Sequence, residues 1–332
     1  MFRIHSGKGW VVWLAVGLTL AVLPAAFAAD PVKIGVNCTM KPGGSEEAGI
    51  MKFKELVEQK SKGSMVVTPF MSGQLGGELP VLGLLKIGKT EMALTGGLFN
   101  GQYAPEYNAF NIPYLFTWEQ LLDYISSPLG AKIKELSLKK GGLVVFGPQY
   151  RGPRHMTSNR PIHKAEDLKG LKMRLPKEAM WIRIWSSMGA LPVAIPAPEI
   201  YLAMKTGQVE AHENTLVSPY SRSLWEVQKY IILTAHIYWP WWWVASDSWY
   251  KKLTPGQQKI IRESVETARM YGEKVEREKD EFYTVELKKK GMIFIHPDIQ
   301  SFKKAARPAI IEEIKKMHPD VQKAVMKYIP AG

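Results

Sequence analysis

The chain is almost without cysteine. Among its 332 residues, Cys38 is the single one. A lone cysteine cannot form an intrachain disulfide, so a fold held together by disulfides is excluded. Cys38 also lies too far beyond the N-terminal apolar run to carry a lipid anchor, and a small buried residue is the simpler interpretation. The fold must therefore come from packed apolar cores, for which a hydrophobic content of 46% is ample.

Long apolar runs are also scarce. The one notable run, Trp10 to Leu23, follows Arg3 and Lys8 and precedes Ala26-Phe27-Ala28. This order is typical of a secretory signal peptide, and the run is short for a bilayer span, which disfavours a membrane anchor. We therefore expect residues 1–28 to be a signal peptide cleaved after Ala28, and the mature protein to be periplasmic.

Acidic residues are in deficit. The chain has 44 lysines and arginines against 31 aspartates and glutamates, a formal net charge of +13. The signal segment contributes two of the basic residues and no acidic one. Because an exported protein rarely meets nucleic acid, this excess favours an anionic small molecule or an anionic membrane surface as partner.

Signatures of catalysis are missing. The paired glycines lack the G-x-x-x-x-G-K-[ST] context of a phosphate loop, and the seven histidines show no metal-ligand spacing. His212-Glu213 could suggest a base, yet no nucleophile arrangement surrounds it, so a loop histidine is the safer interpretation. The sequence predicts no enzyme activity, no catalytic residue, no metal and no cofactor.

The chain does contain a regular alternation of strand and helix signals. Apolar and polar residues alternate in Val32–Val36, and amphipathic helix patterns follow at about 46–61 and 77–87, with further strands at 65–68 and 91–95. Strands and helices at this spacing are typical of a parallel α/β sheet.

A long helix is predicted near the C-terminal end. Thr254-Pro255-Gly256-Gln257 forms a capping-box pattern, and no proline follows until after Lys290. Such a helix would be roughly 50 Å long. Since this exceeds the width of a typical domain, the helix should brace two domains together.

Polar residues cluster where predicted strands end. Leu171–Pro176 alternates as a strand that Pro176 terminates, which places Arg174 near its carboxyl end. Arg154 lies in the loop after strand 143–146, and a short strand at 208–211 leaves Asn214 just beyond it. Asn37 follows the first strand. Ligands of open α/β sheets bind at such ends, so these four side chains are candidate ligand contacts.

A tryptophan-rich segment supplies a fifth candidate. Ile231–Ala235 and Tyr238–Val244 are predicted to be paired extended segments, and the second contains four tryptophans. Residues 239, 241 and 243 should share one face, so Trp241 could face the cleft and favour a ligand with an apolar or aromatic body. Packing between domains is the alternative.

An ordered set of motifs resembles the solute-binding proteins of tripartite ATP-independent periplasmic (TRAP) transporters, of the DctP type. The resemblance covers nearly all of the mature chain, and it is the order of the motifs that makes it specific. The motifs are Q-L-G-G-E at 74–78, I-P-Y-L-F at 112–116, S-P-L-G at 127–130, R-H-M-T-S-N-R-P-I at 154–162, D-L-K-G-L-K-M-R-L-P at 167–176, G-A-L-P at 189–192, E-I-Y-L-A-M-K-T-G-Q-V-E at 199–210, E-N at 213–214 and E-V-Q-K-Y at 226–230.

The resemblance implies a bilobed α/β fold with mixed sheets, an interlobe cleft and a long helix spanning both lobes. Lobe I would comprise residues 29–151 plus 240–275, and lobe II residues 152–239 plus 276–332. Arg174 would hold the ligand carboxylate, assisted by Arg154 and Asn214. The protein would capture an organic acid and deliver it to membrane permease subunits.

Two segments depart from the family pattern: Tyr238–Val244, where family members vary and this chain has its tryptophans, and the segment that holds Asn214. Thr215 replaces a common proline, and His212 stands where the family often has glutamine or a small residue. The loop of Asn214 is therefore expected to be less rigid.

Three alternatives remain open from the sequence. The chain could be a carboxylate-binding protein of another transport or sensing system, a periplasmic hydrolase, or a polyanion- or surface-binding protein.

Overall fold

Two β-sheets organise the chain in a computed structural model that describes residues 30–330. The predicted signal peptide, residues 1–28, lies outside the described residues. The strands are β1 Val32–Asn37, β2 Met65–Phe70, β3 Met92–Thr95, β4 Leu143–Gln149, β5 Pro153–Ser158, β6 Lys172–Leu175, β7 Leu191–Ala194, β8 Ala211–Asn214, β9 Tyr230–Tyr238, β10 Trp241–Ser246 and β11 Ile293–Ile295.

Helices cover these sheets and connect their strands. They are α1 Ser45–Lys60, α2 Glu78–Lys86, α3 Leu98–Tyr103, α4 Trp118–Ser126, α5 Pro128–Gly141, α6 Ala179–Ser187, α7 Ile200–Lys205, α8 Val217–Ser221, α9 Asp247–Tyr250, α10 Pro255–Lys289, α11 Ile299–Lys315 and α12 Pro319–Val325. Among the described helices, none combines the length and apolarity that a bilayer crossing needs.

Both sheets are mixed. The first has the strand order β2-β1-β3-β10-β4, in which β1 runs parallel to β2 and β3 while β10 runs antiparallel to β3 and β4. The second has the order β11-β9-β5-β8-β6-β7, in which β6 runs parallel to β7 and β8 while β5 runs antiparallel to both neighbours. The described chain passes between the sheets three times, from β4 to β5, from β9 to β10 and, through α10, from β10 to β11.

The predicted pairing of the two segments around Trp239 was wrong. Strand β9 lies between β11 and β5 in the second sheet, whereas β10 lies between β3 and β4 in the first. Trp239 and Pro240 form the connection between them. Both faces of β10 are buried, with Trp241 and Trp243 in one hydrophobic cluster and Trp242 in another. A central strand needs such two-sided burial, whereas a hairpin with one open face does not.

The strand after α7 was also predicted out of position. The structure places β8 at Ala211–Asn214, where it pairs antiparallel with β5 and parallel with β6. His212, Glu213 and Asn214 therefore lie within the strand and not beyond its end. Because Gly207 adopts a left-handed φ of +72°, α7 ends there and the chain needs several further residues to reach the sheet.

Several local predictions are confirmed. Thr254 and Gln257 form the predicted capping box at the start of α10, which is a single helix of 35 residues. Thr117 and Gln120 form the capping box of α4. Cys38 is buried, and burial raises the pKa of its thiol to about 12.

The middle of α10 packs closely on the first sheet. A Cβ at Gly272 would lie 2.6 Å from Cδ of Gln149, a buried side chain whose Oε1 accepts a hydrogen bond from the indole of Trp243. We expect Gly272→Ala to lower the free energy of unfolding by about 1–2 kcal/mol, because overpacking exceeds the gain in helix propensity. Urea unfolding of purified protein measures this difference.

Gly256 offers a matched control in the same helix. A Cβ there would meet only Thr254 Oγ1, at 4.0 Å. Gly256→Ala should therefore leave stability unchanged or raise it by roughly 0.5 kcal/mol. Equal effects of the two substitutions would contradict the close packing of α10 on Gln149.

Candidate functional site

Three of the predicted ligand contacts come together in the second sheet. Arg154 lies on β5, Asn214 on β8 and Arg174 on β6, and these strands are adjacent in the order β5-β8-β6. Register places His155 opposite Asn214 and Arg174 opposite His212. All three candidate side chains are buried. Neighbouring strands thus gather the polar groups that lie far apart in the sequence.

Arg154 forms a buried ion pair with Glu213. Its Nε lies 2.5 Å from Oε2 of Glu213 and its Nη2 lies 2.7 Å from Oε1, a bidentate arrangement. Nε2 of His236 lies 3.1 Å from Glu213 Oε2. Burial alone would raise the pKa of Glu213, but the charge and hydrogen bonds of Arg154, with His236, hold that pKa well below its usual range. Glu213 is therefore ionised and acts as the counter-ion of Arg154.

Asn214 links two guanidinium groups. Its Oδ1 accepts hydrogen bonds from Nη1 of Arg154 at 2.8 Å and from Nη2 of Arg151 at 2.9 Å. The amide oxygen is thereby occupied by the protein itself. In this arrangement Asn214 orients the arginines that surround the site.

Arg174 is the arginine that faces open space. Its Nε donates to the carbonyl oxygen of Ile195 at 2.8 Å, and among residues 30–330 no hydrogen-bond acceptor meets Nη1 or Nη2. Arg174 lines a cavity of about 240 Å³, with Glu78, Leu98 and Ile195 among its other walls. A guanidinium with two free N–H edges at a cavity wall suits a bidentate anion.

The electrostatic setting of Arg174 reinforces this interpretation. Burial lowers the pKa of its guanidinium to about 9; the charge of Glu213 opposes the shift, while Arg154 and Arg222 add to it. A lowered pKa means that the surroundings do not fully compensate the positive charge. An anion bound in the cavity would supply the missing compensation.

Trp241 does not line the cavity beside Arg174. Its side chain is buried in the cluster beside the first sheet, its Nε1 donates to Oε1 of Glu46 at 2.7 Å, and Cζ of Arg151 lies 3.9 Å from its ring centroid. Trp241 therefore supports Arg151 by a cation–π contact. The proposed contact of Trp241 with ligand stays a prediction.

Asn37 cross-links strands of the first sheet. It is the last residue of β1, and its Nδ2 donates to Oγ1 of Thr90 at 2.8 Å and to the carbonyl oxygen of Met92 at 3.0 Å. It lines a small cavity that also touches Glu78. Its role as a ligand contact likewise stays a prediction.

Residues 37–316 match the DctP family, described as bacterial extracellular solute-binding protein, family 7. The chain belongs to this family. The resemblance drawn from the ordered motifs is thereby confirmed.

Two known proteins are similar to this chain along most of their length. A solute-binding protein of Roseobacter denitrificans is 29% identical over 269 residues, covering 80% of this chain and 81% of that protein. The sialic acid-binding periplasmic protein SiaP of Vibrio cholerae is 27% identical over 293 residues, covering 88% and 90%.

A solved structure supports the fold. The crystal structure of a TRAP periplasmic solute-binding protein from Roseobacter denitrificans with bound L-galactonate superposes with a TM-score of 0.84 at 25% identity, covering 91% of this chain and 99% of that one. The bilobed α/β fold predicted from the motifs is thereby confirmed.

His212, the departure from the usual DctP pattern, is fully buried within β8. Burial, followed by the charge of Arg174, places its pKa well below the usual value. The imidazole is therefore neutral and adds no further positive charge beside Arg174. Its Nε2 lies 3.4 Å from Nδ2 of Asn214, which helps to fix that amide.

Three polar residues of this DctP-family site were missed by sequence reasoning. Arg151 lies in the short segment that connects β4 to β5, Glu213 neutralises Arg154, and His236 contacts Glu213 from β9. A signal existed for His236, because it interrupts the apolar run of β9. Nothing in the sequence alone indicates that Arg151 reaches Asn214, since this contact depends on the crossing between the two sheets.

Proposed function

We propose that the protein is the periplasmic solute-binding subunit of a TRAP transporter, which captures an organic acid and delivers it to the membrane permease. The observation that carries this proposal is the buried guanidinium of Arg174 at the wall of a cavity, with its Nη1 and Nη2 free of acceptors within residues 30–330. Arg174 anchors the carboxylate, while Arg154 and Asn214 complete and orient the positive wall.

Membership of a solute-binding family supports binding without turnover. The relatives described above include a sialic acid-binding protein and one crystallised with L-galactonate, both ligands being carboxylic acids. The same family supports export. The proposed cleavage after Ala28 rests on the Ala26-Phe27-Ala28 pattern of the sequence. The TRAP transporter neighbours support delivery to membrane permease subunits as the next step.

The distribution of strands supports the lobe boundaries. Strands β1 to β4 and β10 build the first sheet, in keeping with lobe I at residues 29–151 plus 240–275. Strands β5 to β9 and β11 build the second, in keeping with lobe II at 152–239 plus 276–332. The cavity beside Arg174 is lined by residues from both ranges, Gly77–Pro80 and Leu98 from lobe I and Arg174, Pro176, Lys177 and residues 194–197 from lobe II, so closure of the lobes would bury the ligand. A ligand drives closure only by binding the closed form better than the open one.

A thermal-shift screen of the mature protein tests the binding claim. Carboxylic acids should raise the unfolding temperature, because a ligand that binds only the folded state stabilises it by mass action. The corresponding amides and neutral sugars serve as controls and should have no effect. Stabilisation by the amides as strong as that by the acids would refute carboxylate anchoring.

Two rival functions give different results in the same screen. A periplasmic hydrolase would consume its ligand, which chromatography of the incubated mixture would detect. A polyanion-binding protein would respond to heparin or polyphosphate in a strongly salt-dependent manner. Either result, without stabilisation by any small acid, would replace the proposed function.

A further inference from the structure

The N-terminal end of helix α2 forms part of the wall of the cavity beside Arg174. Gly77 is the N-cap of this nine-residue helix, and Gly77, Glu78, Leu79 and Pro80 all line the cavity. The N–H groups in the first turn of a helix have no acceptor within the helix, and they point out of its N-terminal end. The end of α2 is therefore directed at the same space as the guanidinium of Arg174.

The protein itself leaves the donors at this helix end unused. The N-cap Gly77 provides no side-chain cap, and among residues 30–330 no acceptor meets the N–H of Glu78 or of Leu79. The carboxyl group of Glu78 turns elsewhere: its Oε1 lies against Gly96, where a Cβ would meet it at 2.7 Å, and its Oε2 is sealed from solvent. Free N–H groups at a cavity wall require an acceptor on the ligand.

Two contacts hold this helix end close to the guanidinium. Nε of Arg174 donates to the carbonyl oxygen of Ile195 at 2.8 Å. The next residue, Pro196, packs against Gly77 so closely that a Cβ on the glycine would lie 3.3 Å from Cβ of Pro196. A glycine at the N-cap thus allows the end of α2 to approach the segment that holds Arg174.

The two groups also carry charge of the same sign. Arg174 is only 3% exposed, and within residues 30–330 its Nη1 and Nη2 have no acceptor. The N-terminal end of a helix carries a partial positive charge. An anion between the guanidinium and the helix end would relieve their repulsion and accept hydrogen bonds from both.

We infer that the ligand carboxylate is held between Arg174 and the N-terminal end of α2, with Nη1 and Nη2 on one side and the N–H groups of Glu78 and Leu79 on the other. The inference deepens the proposed function and rests on Arg174 as the anchor. A carboxylate has two oxygens with about four acceptor positions, so it can accept all four donors. Arg174 belongs to the second sheet, whereas α2 connects two strands of the first. The carboxylate itself therefore links the two sheets.

Glu78→Pro is the variant that removes one of these backbone donors. Proline is favoured at the first position of a helix, and the extended backbone of Gly77, with φ −73° and ψ −178°, suits a residue before proline. Glu78→Ala is the matched control, because it removes the same side chain and keeps the N–H. Thermal unfolding without ligand checks that both variants fold.

Calorimetric titration compares the two variants. Acetate, L-lactate, succinate and D-gluconate are the probes, and the acid that binds the wild type most tightly is then titrated into both variants. Glu78→Pro should bind it at least about tenfold more weakly than Glu78→Ala, because one hydrogen bond to a charged group is lost.

The amide resonances of Glu78 and Leu79 give a second readout in the ¹⁵N-labelled wild type. When the same acid binds, both amide protons should move downfield and exchange more slowly with solvent, as expected of N–H groups that donate to a carboxylate. The corresponding amide compound should leave both signals unchanged. This measurement decides the inference if Glu78→Pro fails to fold.

Two results would overturn the inference. One is equal affinity of folded Glu78→Pro and Glu78→Ala for the acid. The other is unchanged amide signals of Glu78 and Leu79 while the acid is bound. In both cases, loss of binding in Arg174→Met would still support the proposed function. Failure of the four acids, and of every acid in the thermal-shift screen, to bind the wild type would overturn both.

Discussion

Replacing Arg174 with methionine is expected to abolish the stabilisation of the protein by any carboxylic acid. Two charge-assisted hydrogen bonds from Nη1 and Nη2, at about 1.5–3 kcal/mol each, correspond to a loss of affinity of at least about a hundredfold. Arg174→Lys should retain part of the affinity, because an ammonium keeps the charge but loses the planar fork. Calorimetric titration with the best acid of the screen measures both losses.

The ligand-free Arg174→Met protein should remain as stable as the wild type, or become more stable. Burial lowers the pKa of Arg174, so folding disfavours its charged form, and an apolar side chain of similar length removes that cost. This distinguishes a binding residue from a structural one. A variant that unfolds several degrees earlier without ligand would show that Arg174 stabilises the fold.

Lys172 provides the matched control for this experiment. It lies two residues before Arg174 on the same strand, so the alternation of the strand places both side chains on the same face. The side chain of Lys172 is exposed, whereas that of Arg174 is buried. Lys172→Met removes one positive charge from the same part of the molecule. Ligand affinity should change by less than about twofold, since an exposed charge is screened by solvent. An equal loss in both variants would favour general electrostatic attraction over anchoring.

The strand pattern of the sequence was enough to predict where this arginine would lie. Alternation in Leu171–Pro176 and the terminating proline place Arg174 near the end of β6, and the structure puts β6 within the second sheet. The starts of α4 and α10 could be predicted equally well, because the capping boxes at Thr117 and Thr254 satisfy backbone donors locally. Features that depend on neighbouring residues in the chain were thus predictable.

Features that depend on which strands pair with each other could not be predicted from the sequence. Periodicity shows that Trp241–Val244 is extended, but it does not show whether β10 pairs with β9 or with β3 and β4. The same limit explains why Glu213 was missed as the counter-ion of Arg154. That contact requires β5 and β8 to be adjacent and antiparallel, which no local pattern encodes.

Replacing Glu213 with glutamine is expected to destabilise the protein by about 3–5 kcal/mol. The substitution leaves the guanidinium of Arg154 buried without a counter-ion, and an unpaired buried charge is costly. Urea unfolding near neutral pH measures the loss. Glu135→Gln is the control, because the Lys132–Glu135 pair lies on the surface of α5 and should contribute less than about 0.5 kcal/mol.

A double variant separates the charge from the volume of the pair. Removing both partners with Arg154→Met and Glu213→Leu should restore part of the stability lost in Glu213→Gln, because no unpaired charge then remains buried. If the double variant is less stable than Glu213→Gln, the loss comes from packing and not from the unpaired guanidinium.

The stabilisation by Glu213 should also depend on pH in a defined direction. Arg154 and His236 hold the pKa of Glu213 below its ordinary value of 4.5 despite the opposing effect of burial. A carboxyl group with a lowered pKa stabilises the fold fully above its unfolded pKa and loses that contribution as the pH falls towards its folded pKa. The difference in unfolding free energy between wild type and Glu213→Gln should therefore be constant from pH 7 to about 5 and shrink below about pH 4.5. A difference that stays constant down to pH 3, or one that grows as the pH falls, would contradict a lowered pKa of Glu213 and with it the buried ion pair.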